Sequence, residues 1–259
     1  MTLLREAFKL SGGGIISLVG AGGKSSLMMA LADEFSSRGQ SVLITTTTKI
    51  LKPGSDLHQA VIIEKDPQRL ISKCRDAAQE HAFVTAAAGS SKIREKLVGF
   101  RSEVIEAVWR SGLFEWIVVE ADGAKRKPIK APADHEPVIP GESGWVVGLV
   151  GLTGIGKPFS DQWVFRPEQF QRITGLRRGD TVSPAAIAAI LSDSRGLMKG
   201  APAKARKMVF LNQADTADRI AYAKQVVALL EKEPCAIERV VFGRLKPAPH
   251  IIDTIDLSG

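Results

Sequence analysis

The sequence predicts an α/β fold in which a mostly parallel sheet is covered by helices on both faces. Short, nearly continuous apolar runs alternate along the chain with longer amphipathic segments. Glycine, proline or polar residues bound each run. Strands of this kind are typical of parallel sheets that are buried on both faces. The pattern therefore predicts three layers, with the sheet in the middle.

The first part of the chain shows this pattern most clearly. A strand is predicted over 14–19, a helix over 25–38 that Gly39 ends, and a second strand over 41–45. Apolar residues in the helix recur at the spacing of a face that packs on a sheet. Because strand, helix and strand follow one another within roughly 30 residues, the two strands should be parallel.

The alternation continues along the chain. Further strands are predicted over 60–63, 82–85, 115–120, 145–150, 207–212 and 237–241, and further helices over 67–80, 102–111, 167–174, 183–191 and 216–231. A chain of 259 residues is expected to form a single domain, 1–259. Within it, the segment 158–202 has helical patterns without a strong strand, and we expect it to form a helical insertion or lid.

The charge balance favours an anionic partner. The chain has 35 basic and 28 acidic residues, a formal net charge of +7. Such an excess attracts nucleotides, phosphorylated cofactors or nucleic acid. A basic solvated surface is the other interpretation. Aromatic residues make up only 6% of the chain, so stacking platforms for single strands are scarce and a nucleic-acid partner is not expected.

Neither membrane insertion nor secretion is expected. No apolar run reaches the roughly 18 residues that span a bilayer, and residues 1–10 lack the apolar stretch of a signal peptide. The two cysteines, Cys74 and Cys235, form no CxxC pair, so the sequence suggests neither a zinc site nor a disulfide framework. A cytoplasmic location is therefore expected.

A glycine-rich loop between the first strand and the first helix is the strongest functional signal. Glycines let phosphates approach the backbone closely, and the start of a helix favours an anion. The lysine that follows would contact the β- and γ-phosphates, and a serine hydroxyl would bind Mg²⁺. The loop predicts a P-loop NTPase-like fold that binds Mg²⁺ and a nucleoside triphosphate, ATP or GTP. Its residues are Gly20, Ala21, Gly22, Gly23, Lys24, Ser25 and Ser26.

The loop is shorter than the standard phosphate loop, which places its first glycine where this chain has Leu18. The short form resembles the loop of the Mur ligase group, and a glycine turn that happens to precede Lys-Ser is the alternative. A second stretch, 151–157, fits the standard spacing better. Pro158, however, replaces the metal-binding hydroxyl there, and no clear helix follows. We interpret that stretch as a turn that faces the site.

The end of the strand 41–45 should face the loop, because the carboxyl ends of parallel strands form the ligand crevice. Four threonines in a row and a lysine, 45–49, stand at the end of this strand. Thr47 and Lys49 are the candidates for contacts with the nucleotide. The alternative is that the threonines reflect β-propensity alone.

The strand 115–120 places two carboxylates at its carboxyl end, Glu120 as its last residue and Asp122 just after it, and resembles a Walker B element. One such carboxylate holds Mg²⁺, and a second one positions or deprotonates a nucleophile. We assign Ser25 and Asp122 to the metal and Glu120 to the nucleophile, with Lys24 as the third catalytic residue. A surface Asp-Gly turn is the alternative.

Cations and a histidine follow these carboxylates. Lys125, Arg126 and Lys130 suggest that a second anionic group, such as a phosphorylated substrate, binds here. His135 and Glu136 are further candidates, with the histidine as a general base or a ligand. The alternatives are a solvated loop for the cations and a structural or exposed histidine.

The strand 207–212 ends in Asn212-Gln213-Ala214-Asp215, which resembles the Asn-Lys-x-Asp base-reading motif of GTPases. Asn212 and Asp215 are therefore candidates for contacts with the base. Gln213 replaces the lysine whose stem usually covers the base, so the choice between guanine and adenine stays open. A polar cap of the next helix is the alternative.

Together these segments resemble the YqeC-type family, described as accessory proteins of selenium-dependent molybdenum hydroxylases. The resemblance rests on 19–26, 43–49, 118–124 with 130–132, 134–137 and 211–215. It implies a role in maturing a molybdenum- or selenium-containing cofactor, with a molybdenum hydroxylase or its cofactor as partner.

Three functions stay open from the sequence. The first is a Mg²⁺-dependent NTPase or an enzyme that transfers a phosphoryl or nucleotidyl group. The second is a nucleotide-gated maturation chaperone with little intrinsic turnover. The third is a nucleic-acid-binding protein that relies on its positive charge.

Overall fold

The computed structural model describes residues 2–52, 59–91, 96–232 and 235–257. Its strands, in chain order, are β1 (Gly14–Gly20), β2 (Val42–Thr46), β3 (Lys49–Leu51), β4 (Gln59–Ile63), β5 (Phe83–Ala87), β6 (Gly89–Ser91), β7 (Lys96–Val98), β8 (Trp116–Glu120), β9 (Ile129–Lys130), β10 (Ser143–Gly151), β11 (Val164–Phe165), β12 (Arg206–Asn212), β13 (Arg239–Arg244) and β14 (His250–Asp256). The helices are α1 (Leu4–Ala7), α2 (Lys24–Ser36), α3 (Pro67–Ala77), α4 (Ser102–Arg110), α5 (Pro167–Thr174), α6 (Pro184–Ser192) and α7 (Ala217–Leu230).

A nine-stranded sheet forms the centre of the molecule, in the order β14-β13-β12-β10-β1-β8-β2-β5-β4. All neighbouring strands are parallel except β14, which runs antiparallel along the edge beside β13. The first strand of the chain, β1, therefore lies between β8 and β10. Because parallel strands end on the same side, the loops that follow β1, β2, β8, β12 and β13 meet at one edge of the sheet.

Helices cover both faces of this sheet. Side chains alternate along β1, so that Ile16 and Leu18 pack with α1 and α2 on one face while Ile15 packs with α3 and α4 on the other. The helices α5, α6 and α7 cover β12 and β13 on the face that α3 and α4 also cover. The predicted α/β class, with a mostly parallel sheet between helices, is confirmed.

The helix α2 follows the glycine-rich loop and fixes the position of that loop against the sheet. Its buried face includes Leu27, Leu31 and Phe35, and the Phe35 ring stacks on Trp116 of β8 with centroids 4.4 Å apart. The helix thus packs directly on the strand that ends in Glu120. This packing holds the start of α2 close to the carboxylates that follow β8.

Most predicted elements agree with the structure to within a few residues, but the local pattern missed several others. These are α1, the antiparallel edge strand β14, the small sheet β3-β7-β6 and the two-stranded sheet β9-β11. The segment 158–202 contains β11, α5 and α6, and its role as a lid stays a prediction. Among the residues described, no helix is both long and apolar enough to cross a bilayer.

Candidate functional site

A large open cleft of about 1260 Å³ lies at the carboxyl edge of the sheet. Its walls come from the glycine-rich loop, from the small sheet that includes β3 and β7, from the segment after β8, and from the ends of β12 and β13. The basic residues that line it are Lys24, Lys49, Lys96, Lys125, Arg126, Lys127, Arg166, Arg244 and Lys246, whereas the acidic ones are Glu120, Glu136 and Asp215. The cleft is therefore strongly basic.

The glycine-rich loop has a backbone shape that only glycine adopts at low cost. Gly22 and Gly23 have φ angles of 83° and 138°, in the region that favours glycine. A Cβ atom on Gly22 would overlap the backbone of Gly151, and one on Gly23 would overlap the amide of Asn212. The loop is therefore packed tightly against the ends of β10 and β12.

Lys24 lies in the first turn of α2, and its ammonium group points back into the loop. Lys24 Nζ donates to the Gly20 carbonyl at 2.5 Å. It also forms ion pairs with Asp122 Oδ1 at 3.1 Å and Glu120 Oε1 at 3.7 Å. Burial alone would lower the pKa of Lys24, but these carboxylates together raise the pKa above its usual value. The lysine is thus held as a cation beneath the loop.

Ser25 and Glu120 form a second pair next to this lysine. Ser25 Oγ donates to Glu120 Oε2 at 2.9 Å. Burial is the largest cause of a raised pKa at Glu120, and it outweighs the opposing effects of Lys24 and Ser25. A hydroxyl and a carboxylate oxygen at this distance are two hard oxygen donors that could share a cation.

Asp122 contacts the backbone of the loop and two buried lysines. Its Oδ2 atom accepts the Gly20 N–H at 3.0 Å and pairs with Lys130 Nζ at 2.9 Å. Lys130 is fully buried, donates to the Gly123 carbonyl at 2.7 Å, and pairs with Glu136 Oε2 at 2.6 Å. The Asp122 carboxylate is thus occupied by contacts within the protein.

Glu136 continues this chain of buried charges to the far side of the cleft. Its second oxygen, Oε1, accepts from Arg166 at 2.7 Å. Ion pairs therefore run without a break from Lys24 through Asp122, Lys130 and Glu136 to Arg166. Of the predicted substrate residues, Glu136 lines the cleft, whereas the ammonium group of Lys130 is buried inside this chain and His135 is exposed outside the cleft lining.

The threonines after β2 mainly tie strand ends together. Thr46 Oγ1 donates to the Glu120 carbonyl at 2.7 Å, and Thr47 Oγ1 donates to the Val138 carbonyl at 2.7 Å. Thr48 and Lys49 line the cleft, whereas Thr47 is not part of the lining. Lys49 is thus the candidate of this segment that the structure brings to the site.

Asn212 and its neighbours form the wall opposite the carboxylates. Asn212 Nδ2 donates to the Gly22 carbonyl at 2.7 Å, and Gln213 accepts from Thr153 Oγ1 at 2.8 Å. Asp215 lines the cleft and pairs with Arg219 at 3.2 Å. The helix cap of α7 is Thr216, so neither Asn212 nor Asp215 serves as that cap.

The second glycine-rich stretch is a turn at the end of β10. Residues Leu152–Gly154 form one short 3-10 turn, and the next α-helix begins only at Pro167. Gly151 donates its N–H to the Pro128 carbonyl at 2.8 Å. This geometry agrees with the interpretation of a turn that faces the site, since Thr153 lies in the cleft lining.

Several lining residues had no signal in the sequence. Arg166 and Trp163 precede α5, Lys96 belongs to β7, and Arg244 ends β13. They reach the cleft through contacts between segments that lie far apart in the chain. Within the described part of the chain, no cluster of three or more His, Cys, Asp or Glu side chains is arranged to hold a metal by itself.

Comparisons with known proteins identify the family of this chain. A family model described as YqeC protein matches residues 16–168, which contain the glycine-rich loop, the carboxylates and the ion-pair chain. The chain is also 32% identical over 237 residues to an uncharacterized protein YqeC of Escherichia coli strain K12. That similarity covers 92% of this chain and 90% of the relative. The chain belongs to the YqeC family.

Proposed function

We propose that this protein binds a Mg²⁺-bound nucleoside triphosphate in the cleft and hydrolyses it or transfers a phosphoryl or nucleotidyl group from it. Membership in the YqeC family fits an accessory role, and we propose that this role is the maturation of a molybdenum- or selenium-containing cofactor or hydroxylase. One observation carries the proposal. A glycine loop, a buried lysine and a serine–carboxylate pair meet at the start of α2, inside a basic cleft.

The loop supports phosphate binding because it combines three sources of positive potential. The first turn of α2 lines the cleft, and its N–H groups have no acceptor within the helix. The helix dipole is positive at this end, and Lys24 adds a cation that is paired with Asp122 and Glu120. Asn212 holds the Gly22 carbonyl, which keeps the loop in shape without a ligand. A site formed in advance loses little free energy to reorganisation when charge develops on a transferred phosphoryl group.

The contacts favour Ser25 and Glu120, rather than Ser25 and Asp122, as the residues that would hold Mg²⁺. Ser25 Oγ and Glu120 Oε2 already lie 2.9 Å apart, whereas Asp122 is engaged by Gly20, Lys24 and Lys130. When bound, the metal would neutralise negative charge on the phosphates. Asp122 then acts as the residue that positions the loop and Lys24.

The base would lie between the ends of β12 and β13. Asn212, Asp215 and Leu245 line the cleft there, and Ala214 donates its N–H to the Gly243 carbonyl at 2.9 Å, which joins the two strand ends. Asp215 is a candidate acceptor for an N–H group on a base edge, although its pair with Arg219 must then rearrange. ATP and GTP, the two nucleotides expected from the sequence, are therefore compared with CTP below.

Calorimetry with ATP, GTP and CTP, each with and without Mg²⁺, tests the proposal. We expect binding that depends on Mg²⁺, and phosphate release that Lys24→Ala slows by about 10²–10³-fold, as when a major charge-stabilising donor is lost. Lys24→Met keeps much of the buried volume and controls for packing. Lys224→Ala, an exposed lysine of α7 outside the cleft lining, should behave like the unmodified protein. Equal nucleotide binding by the unmodified protein and Lys24→Ala would refute the proposal.

The ion-pair chain favours a nucleotide-gated chaperone as the second candidate. It links Lys24 beneath the loop to Arg166 on the far wall, so a shift of Lys24 towards a phosphate changes the balance of charge along the chain. A chaperone of this kind predicts tight nucleotide binding with negligible phosphate release until a client is added. Rapid turnover by the protein alone would count against it.

A further inference from the structure

The cleft holds more positive charge than the phosphate loop uses. Each acidic residue of the lining already has a partner: Glu120 has Lys24 and Ser25, Glu136 has Lys130 and Arg166, and Asp215 has Arg219. Among the described residues, Lys125, Arg126 and Lys127 form no ion pair with a carboxylate, although Lys127 helps to lower the pKa of Asp161. One Mg²⁺-bound triphosphate would not neutralise this excess, because the metal already cancels part of its charge.

The excess is concentrated on one side, which we call the cationic wall: Lys125, Arg126, Lys127 and Arg166. The parallel pairing of β9 with β11 brings its two segments together, with Lys130 opposite Phe165. The Phe165 ring lies within 5.2 Å of Lys125 Nζ and 5.1 Å of the Arg166 guanidinium carbon. Cations that gather at one aromatic ring are held near each other despite their repulsion.

The backbone of the wall is strained. The described non-glycine residues with φ in the left-handed region are Lys9, Lys125, Arg126, Arg166 and Gln213, with φ angles from 46° to 70°. All of these except Lys9 line the cleft, and three of them belong to the wall. Such a conformation costs free energy in residues with a Cβ atom, and it concentrates at functional sites.

The wall is also anchored to the phosphate loop. Arg166 shares Glu136 with Lys130, and Lys130 shares Asp122 with Lys24. The side chain of Arg166 keeps 22% of its surface exposed, so part of its guanidinium group can still reach a ligand. Lys125 and Arg126 are exposed at the surface of the cleft. These ion pairs fix the position of the wall relative to the phosphate loop, while the exposed cationic groups of the wall stay free to bind a ligand.

We propose that the cationic wall binds the phosphate ester group of a second, small phosphorylated substrate, next to the nucleotide. This inference rests on the proposed function and names the class of its second substrate. Arginine and lysine side chains supply charge-assisted hydrogen bonds to phosphate oxygens, and Trp163 and Phe165 line the cleft beside them. The ligand would therefore combine a phosphate dianion with a flat or apolar body.

Phenyl phosphate is a suitable probe, since it contains only those two features. Binding is measured by calorimetry on the unmodified protein and on Lys125→Ala/Arg126→Ala, without nucleotide and after saturation with a Mg²⁺-bound non-hydrolysable triphosphate analogue. We expect the double variant to bind phenyl phosphate about tenfold or more weakly, because two charged contacts are lost. The affinity of the double variant for the triphosphate analogue should stay within about threefold of that of the unmodified protein.

The matched control is Lys204→Ala/Lys224→Ala, which removes the same charge from two exposed positions outside the cleft lining. It should leave both ligands unaffected. Unchanged probe affinity in the wall variant would overturn the inference, as would stoichiometric displacement of the probe by the nucleotide analogue. Tighter, salt-dependent binding of oligonucleotides that the wall variant abolishes would also overturn it, in favour of a nucleic-acid groove. Because the probe is also measured without nucleotide, failure of the wall can be distinguished from failure of the phosphate loop.

Discussion

The phosphate-loop side of the cleft and the cationic wall carry their charges in opposite ways. Around the loop, Lys24, Glu120, Asp122 and Lys130 are buried and paired with one another. On the wall, Lys125 and Arg126 are exposed and face the cleft on a strained backbone. The comparison teaches that the loop is held in shape by the protein itself, whereas the wall keeps its charge available for a ligand.

The largest difference should be in stability, between the loss of a carboxylate from the buried ion pairs around the loop and the loss of one from an exposed ion pair. Asp122→Ala leaves Lys24, Lys130 and the Gly20 N–H without their shared acceptor, and we expect a loss of about 3–5 kcal/mol in the free energy of unfolding. Asp161→Ala removes a similar contact to Arg178, but both side chains are more than half exposed, and we expect a much smaller loss because solvent screens the pair. Urea unfolding measures both. Equal losses would show that the buried chain of charges does not stabilise the fold.

Glycine substitutions sharpen the same comparison at the level of the backbone. Gly22 and Gly39 both have left-handed φ angles, but a Cβ atom on Gly22 would overlap Gly151 while one on Gly39 meets open space. Gly39→Ala should cost about 1 kcal/mol, from strain alone. Gly22→Ala should cost clearly more, by about 1–3 kcal/mol for overpacking, and should abolish nucleotide binding. Thermal denaturation and calorimetry test this, and intact nucleotide binding by Gly22→Ala would contradict the role of the loop.

The raised pKa of Glu120 predicts how metal binding depends on pH. If Ser25 and Glu120 hold Mg²⁺, protonation of Glu120 competes with the metal. The affinity for the Mg²⁺-bound nucleotide should then fall as pH decreases through the raised pKa, by about tenfold per pH unit below it. The fall should begin at a higher pH than for an ordinary glutamate, because burial favours the neutral acid. Lys24, whose pKa is raised as well, should cause no loss at neutral pH.

Stability should follow the same two pKa shifts, and because both pKa values are raised in the folded protein, both contributions decline as pH rises. Folded Glu120 binds its proton more tightly than Glu120 in the unfolded chain does. Its contribution to folding therefore declines as pH rises from its unfolded pKa through its raised folded-state pKa. The contribution of Lys24 is fully present below its unfolded pKa and is lost only in strong alkali. Calorimetric titrations at several pH values measure the affinity for the Mg²⁺-bound nucleotide, with Glu120→Gln as the control. In that variant the affinity should no longer fall as pH decreases. If the affinity still falls with decreasing pH in Glu120→Gln, another titratable group is responsible.

The smallest effect should be a gain in stability on the wall. Arg126 has a φ of 60°, so Arg126→Gly relieves the strain, and we expect the free energy of unfolding to rise by up to about 1 kcal/mol. Arg126→Ala removes the same charge without this relief and should show no such gain. Phenyl phosphate binding should weaken in both variants. A loss of stability in Arg126→Gly would indicate that the conformation carries no strain.

The sequence could predict much of the phosphate-loop side because that side is built from neighbours in the chain. A strand, a glycine turn and the first turn of a helix occur within 14–26, and their chemistry is local. Glu120 and Asp122 were predictable for the same reason, since they follow a strongly apolar strand. Thr47 and His135 were predicted from local sequence in the same way. In the structure, however, the Thr47 hydroxyl donates to the Val138 carbonyl, and His135 lies outside the cleft lining.

What the sequence by itself determined is therefore the fold class, the loop and the presence of carboxylates and cations near it. Only the tertiary structure decided which charge meets which. It buried Lys130 between Asp122 and Glu136, brought Arg166 to the far end of the chain of ion pairs, and joined β9 to β11. The physical reason is that periodicity and glycine chemistry act over a few residues, whereas the pairing of a buried charge depends on every segment that folds against it.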